Sequence, residues 1–189
     1  MEARSSSSSL AIALGANLGD PVATLVAVRP RLEALLAAWA AGAPVRCRWS
    51  PLFRTAPVGG PAAQPDYINA ALLLEPCPTA SPLQLLQQLL ALERQFGRVR
   101  DQRWGPRRLD LDLLWCGEHG SQGPELELPH PRLAERAFVL APLAAIDPDL
   151  LVPLPAGSAR GCGLLLAALL PSLPEPPPQR LEPRPGWPE

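Results

Sequence analysis

Apolar and polar positions alternate or recur along this chain in blocks that can be read in order. Leu10-Ala11-Ile12-Ala13-Leu14 is a short apolar run that gives way to turn chemistry at Gly15-Ala16-Asn17-Leu18-Gly19, the pattern of a strand ending in a loop. Asp20 as N-cap with Pro21 behind it opens a helix. Val22, Leu25, Val26, Leu32, Leu35, Leu36 and Trp39 roughly keep helical spacing to Ala41, and Pro30 predicts a kink or break near Val28. Val45, Cys47 and Trp49 alternate with Arg46, Arg48 and Ser50, which predicts a half-buried strand running on to Arg54. After the loop from Thr55 to Pro61, Tyr67 to Glu75 reads as another strand, with Asn69 the polar residue in an apolar row. A buried asparagine wants three or four hydrogen-bond partners, so Asn69 is either a structural bridge or a ligand reader.

Ser81-Pro82-Leu83-Gln84 forms a capping box, Leu85, Leu86, Leu89, Leu92 and Phe96 make an apolar stripe, and Gly97 closes the helix. Glu93 falls in the last turn, where the helix dipole disfavours an anion; such a carboxylate faces water, or holds a ligand or a loop. An arginine-dense loop follows from Arg98 to Arg108, and then a strand from Leu109 to Trp115. Glu125 to Leu128 reads as an edge strand leading into Pro129-His130-Pro131, Arg132 to Leu143 as a helix carrying Arg136 and Phe138, and Leu164 to Leu170 as a short helix. The order β-α-β-β-α-β predicts an α+β, ferredoxin-like fold: an antiparallel sheet with helices on one face, the other face open to a ligand, and appended C-terminal elements. Residues 1–9 read as a disordered, serine-rich leader, 10–170 as one domain, and the proline-dense stretch 171–189 as a disordered or polyproline tail.

Composition narrows the function. The 189 residues suffice for one domain with a proper core. No apolar run approaches the roughly 18 residues of a membrane span. The net charge of −1 argues against a general nucleic-acid binder, so the basic loop is a local feature. All seventeen basic residues are arginine, which excludes a P-loop lysine, a Schiff-base lysine and a lysine general base. Four scattered cysteines without a CxxC pair point to reduced thiols in a cytoplasmic protein.

The chemistry concentrates in one stretch. Six arginines fall between Arg94 and Arg108, and the strand that follows carries Asp110 and Asp112 on alternate positions. On a strand these two carboxylates share a face, about 6.6 Å apart at about 3.3 Å of rise per residue, while Leu111 and Leu113 point into the core. That spacing suits hard divalent cations with oxygen ligands. Guanidinium forks beside it suit a polyphosphate.

The run Arg103-Trp104-Gly105-Pro106-Arg107-Arg108-Leu109-Asp110-Leu111-Asp112 resembles the signature of the 6-hydroxymethyl-7,8-dihydropterin pyrophosphokinases of folate biosynthesis. Leu14 to Gly19, Arg54-Thr55, Pro57-Val58-Gly59, Gln64 to Ala70, Gly97 to Arg100, Pro129-His130-Pro131 and Arg136-Ala137-Phe138 agree in order and spacing, so the resemblance covers about Leu10 to Leu170. It implies transfer of pyrophosphate from ATP to the hydroxymethyl group of the reduced pterin, with release of AMP. By likeness, Asp110 and Asp112 hold two Mg²⁺ ions, and Arg98 and Arg107 join them as catalytic groups. Glu93, Arg98, Arg100, Trp104, Arg107, His130 and Arg136 match ATP-site positions. Thr55, Pro57, Val58, Tyr67, Asn69 and Phe138 match the pterin site, and Arg98 to Pro106 corresponds to a lid. The partners implied are these two small substrates, with no nucleic acid and no membrane, and the chain is expected to be a cytoplasmic monomer.

Overall fold

The computed structural model describes residues 9–61, 63–98, 105–154 and 157–188. Strand β1 (Leu10–Ala16) leads through the Asp20 cap into helix α1 (Pro21–Trp39), and the Asp20 carboxylate accepts the Ala23 N–H at 2.9 Å. Two short strands, β2 (Arg46–Trp49) and β3 (Phe53–Thr55), precede the long β4 (Tyr67–Glu75) and helix α2 (Pro82–Gln95). Strand β5 (Asp110–Cys116) carries the two aspartates; β6 (Ser121–Gln122) and β7 (Glu127–Leu128) form a ribbon of their own. Helix α3 (Ala137–Ile146), the β8 (Leu151–Pro153) and β9 (Ala159–Gly161) pair, helix α4 (Cys162–Leu169) and a last strand β10 (Gln179–Arg180) complete the chain.

The main sheet is antiparallel, in the order β10-β3-β4-β1-β5, with β2 also paired to β4. Residues facing one side, among them Ile12, Leu14, Leu72 and Leu111, pack under α1 and α2. Those facing the other, such as Ala11, Leu73 and Trp115, pack under α3 and α4. The second face is therefore not open along its length: the appended helices cover one end, and the cavity occupies the rest. A register shift between Ala11 and Ile12 opposite β5 lets both Leu114 and Trp115 reach the α3 side, a bulge two residues beyond Asp112. All four cysteines are free, and Cys77 and Cys116 share an S–H···S contact of 3.3 Å.

Three local expectations are corrected, and the proline-rich stretch carries structure. Of the kink or break expected near Val28, the break does not occur: helix α1 continues through Pro30, because Val28 and Leu32 on either side are fully buried on one stripe and packing offsets the missing hydrogen bond. The strand expected from Val45 to Arg54 is interrupted at Ser50-Pro51-Leu52; Ser50 donates its N–H to Ala71 O and accepts the Ala71 N–H on Oγ, so a side chain stands in for ladder pairing there. The helix expected from Arg132 is split: a 3₁₀ turn (Leu133–Glu135) ends at Arg136, whose extended backbone (φ −115°) precedes α3 and turns its side chain back toward β5. The stretch expected as a disordered or polyproline tail holds the strand β10 and a buried Trp187. Its proline density prevents a core of its own, but the proline-free Gln179-Arg180-Leu181-Glu182 retains N–H groups and adds to the edge of β3, while Trp187 is 7% exposed against the main core.

Candidate active site

The antiparallel register builds the site. Gly15 pairs with Asn69 of β4 on one side and with Asp110 of β5 on the other, so the three residues form a row across the sheet on one face. At about 4.8 Å per strand, Asn69 and Asp110 stand roughly 10 Å apart with nothing but glycine between them. Two residues back along β1, on the same face, Ala13 separates Ala71 from Asp112. The small residues of β1 thus make a floor, and the functional side chains rise from the strands beside it. Gly15 needs to be glycine: a Cβ there would sit 2.9 Å from Asn69 Oδ1.

Above this floor lies a cavity of about 1190 Å³, large enough for two substrates at once. Every described residue of the two expected substrate sites lines it except Glu93. Arg100 and Trp104, with most of the expected lid, lie outside the described residues.

At the Asn69 end, Asn69 Nδ2 donates to Thr55 Oγ1 at 2.8 Å, and Asn69 Oδ1 is left toward the floor. The Tyr67 hydroxyl donates to Gly105 O at 3.4 Å, and burial raises its pKa. Phe138 enters from the first turn of α3, with the Arg136 guanidinium 5.6 Å from its ring centre.

At the other end Asp110 stands between two guanidiniums, paired with Arg107 and with Arg98 at 2.7 Å. Arg98 also pairs with Glu93, whose Oε1 accepts the Leu111 N–H at 2.7 Å. Glu93 is only 1% exposed, so of the roles open to it this carboxylate binds the loop and the strand and does not face water. Arg136 donates to Asp112 at 3.1 Å and lies 3.4 Å from His130 Nε2. His130 Nδ1 lies 3.1 Å from the Arg132 N–H and Nε2 faces the Arg136 guanidinium, so both ring nitrogens meet donors.

Burial and the charge of Asp112 push the Asp110 carboxyl up, while Arg107 and Arg98 pull it down. Glu93 is raised by burial, against the Leu111 amide and Arg98. Burial lowers His130, against the pull of Asp112.

The Asp pair also meets the demands of a hard cation. Asp110 Oδ1 is buried and near Arg98, yet has no hydrogen-bond partner of proper geometry, which leaves a lone pair for a metal. Among the described residues no group of three His, Cys, Asp or Glu converges as a metal cage. A cation held by these two carboxylates would keep most positions for water and substrate oxygens, the habit of Mg²⁺.

One residue in the site was given no role by sequence reasoning. Asn17 accepts the Arg107 N–H on Oδ1 at 2.7 Å, while the Asn17 and Leu18 N–H groups both donate to Arg107 O; its Nδ2 donates to Pro65 O at 3.1 Å. It joins the ends of β1, the approach to β4 and the approach to β5. Its setting between Ala16 and Leu18-Gly19 was the available signal, since asparagine in a turn commonly caps backbone groups.

Comparison with known proteins gives the family. The family profile described as 7,8-dihydro-6-hydroxymethylpterin-pyrophosphokinase matches residues 11–148. A 2-amino-4-hydroxy-6-hydroxymethyldihydropteridine pyrophosphokinase of Pseudomonas aeruginosa is 43% identical over 143 residues, 75% of this chain and 82% of that one. The enzyme of the same name from Synechocystis is 42% identical over 142 residues, 75% of this chain and 68% of its own length. That of Mycobacterium tuberculosis is 38% identical over 171 residues, 85% of this chain and 84% of that one. Among solved structures, a Plasmodium falciparum HPPK-DHPS has a TM-score of 0.55 at 10% identity, which speaks to the fold alone; this chain is covered to 90% and spans 45% of that one. The chain belongs to the 7,8-dihydro-6-hydroxymethylpterin-pyrophosphokinase family, the ATP-dependent pyrophosphokinases of folate biosynthesis.

Proposed function

We propose that the family reaction runs in this cavity on a ferredoxin-like scaffold, with the pterin at the Asn69 end and the ATP phosphates at the Asp110 end. The order β3-β4-β1-β5, with α1 and α2 together on one face, supports that reading of the scaffold. The hydroxymethyl oxygen of the pterin bonds to the β-phosphorus of ATP, the bond from that phosphorus to the α-phosphate oxygen breaks, AMP leaves, and the hydroxyl proton passes to solvent.

The single observation that carries this is the Asn69-Gly15-Asp110 row, which sets an amide reader and a carboxylate centre about two strand spacings apart on one rigid face. Asn69, tied by Nδ2 to Thr55, offers Oδ1 to donors on the heterocycle edge, and Phe138 offers a flat apolar wall. Asp110 and Asp112 would hold two Mg²⁺ ions, which when bound neutralise phosphate charge and favour in-line geometry. Arg98, Arg107 and Arg136, paired with these aspartates, supply fixed positive charge for the phosphates, and the His130 ring stands beside Arg136 at the same end. Arg100 and Trp104 belong to the same ATP site by resemblance. Glu93 positions Arg98 and does not touch nucleotide. The reading extends to a cytoplasmic monomer, in keeping with four unbridged cysteines; no helix among the described residues is long and apolar enough to cross a membrane.

The test is product analysis with ATP, Mg²⁺ and 6-hydroxymethyl-7,8-dihydropterin. AMP equal to the pterin consumed, and absent without either pterin or Mg²⁺, is the expected result; ADP as product would overturn the reading.

A further inference from the structure

The tail beyond α4 lies outside the residues matched by the family profile, yet it reaches the cavity. After a 3₁₀ turn (Leu170–Ser172), residues 173–178 run along the cavity wall, with Leu173, Glu175 and Pro178 among its lining. The next residue, Gln179, pairs with Arg54 in β10, and Arg54 immediately precedes Thr55. The C-terminal end of this strap therefore lies beside the strand that leads into Thr55, Pro57 and Val58.

Two points hold the strap. Leu181 donates its N–H to Leu52 O at 2.9 Å, continuing the β10 ladder past its last assigned pair. Trp187 donates Nε1–H to Ser50 O at 2.8 Å and packs edge-on against Trp49, with ring centres 5.1 Å apart. Both acceptors sit in the Ser50-Pro51-Leu52 gap between β2 and β3. A sheet edge interrupted there leaves carbonyls with no neighbouring strand, and the tail takes them.

The strap itself is proline-rich, and proline has little conformational freedom to lose when ordered against a ligand. Its one ionisable side chain in the cavity wall is Glu175, partly buried and without an ion pair among the described residues. A carboxylate at this end repels phosphate and accepts from N–H donors.

We propose that the strap 173–178 is a wall of the pterin subsite, latched by β10 and Trp187, and that Glu175 is a specificity-determining residue that keeps polyphosphate out of that end and favours a heterocycle bearing N–H donors. This rests on the proposed placement of the pterin. The latch is what turns a proline-rich tail into part of a site.

The experiment uses full-length protein and steady-state kinetics with each substrate varied. The double variant Leu181→Pro/Trp187→Ala removes both attachment points, and Glu175→Arg alters the wall while leaving the latch intact. Each is expected to raise KM for the pterin at least fivefold, with KM for ATP within twofold of wild type. Glu175→Arg is also expected to let inorganic triphosphate compete with the pterin, with no such competition expected in the wild type. Should the double variant lose its far-ultraviolet circular dichroism, Glu175→Arg alone decides. An unchanged pterin KM in Glu175→Arg, or a parallel rise in both KM values, overturns the proposal. Wild-type protein that makes no AMP would instead overturn the reading of the reaction, so the two failures are distinct.

Discussion

Glu93 and Arg98, five residues apart across the end of α2, form a buried ion pair in which the same Glu93 oxygen also accepts the Leu111 N–H. The helix end, the first arginine of the loop and the aspartate strand are thereby bound at one atom. Gly97 makes this possible: at φ +80° it turns the chain so that Arg98 folds back over the helix terminus.

Replacing Glu93 by alanine leaves the buried Leu111 amide without its acceptor and Arg98 with Asp110 alone, a loss of about 3 kcal/mol on the scale of broken buried pairs. Urea unfolding should show it, and kcat should fall as Arg98 loses its register to Asp110. Glu93→Gln keeps an acceptor for Leu111 and should restore most of the stability. Equal destabilisation by Ala and Gln would contradict the role of the shared oxygen.

Asp110→Asn tests the metal centre. Turnover should drop by about 10³-fold, roughly 4 kcal/mol of transition-state stabilisation at 1.36 kcal/mol per tenfold. Circular dichroism should be unchanged, because the substitution preserves shape in a side chain that the sheet already holds. Mg²⁺ titration of the rate should shift to higher concentration in Asp112→Asn as well, and a wild-type Mg²⁺ dependence in both variants would refute the assignment.

Gly15→Ala places a methyl group 2.9 Å from Asn69 Oδ1, closer than real Cβ contacts come. Asn69 must then move away from the floor. The expected result is a rise in pterin KM of about tenfold, or about 1.4 kcal/mol, with little change for ATP. Isothermal titration with each ligand separately would expose the opposite pattern if Gly15 matters only for folding.

His130 is held neutral by burial, with its pKa below the ordinary 6.5. The unfolded chain takes up a proton at that residue before the folded chain does, so stability is full above about pH 6.5 and falls as pH drops toward the folded-state value. Proton–nitrogen NMR should show the ring titrating below 6.5 in the free protein, with the resonance assigned by its loss in His130→Gln. Nucleotide binding should raise it, since phosphate favours the imidazolium. A free-protein value at or above 6.5 would contradict the burial argument.

Where local chemistry decides, the sequence was readable. Asp20 and Ser81 cap their helices through their own side chains, the strand from Tyr67 to Glu75 is found with those bounds, and alternation puts Asp110 and Asp112 on one face. Where distant packing decides, it was not. Pro30 stays helical because the sheet holds Val28 and Leu32 on one stripe. Arg136 stands outside α3 because its partner is Asp112, 24 residues earlier. Trp187 finds its acceptor in Ser50, 137 residues away, and no local pattern announces that pairing. Asn17 was visible as a turn residue but not as the tie between three loops.

The strand that latches the tail has a colloidal consequence as well. Without β10, Phe53 to Thr55 would present bare N–H and C=O groups on the outer margin of the sheet, a template for pairing with another molecule. The chain caps that margin with its own strand β10, and proline before and after the short strand keeps a further strand from adding on. Cleavage between α4 and β10 should therefore turn a well-behaved solution of this protein into one that aggregates with concentration, even where the core survives intact.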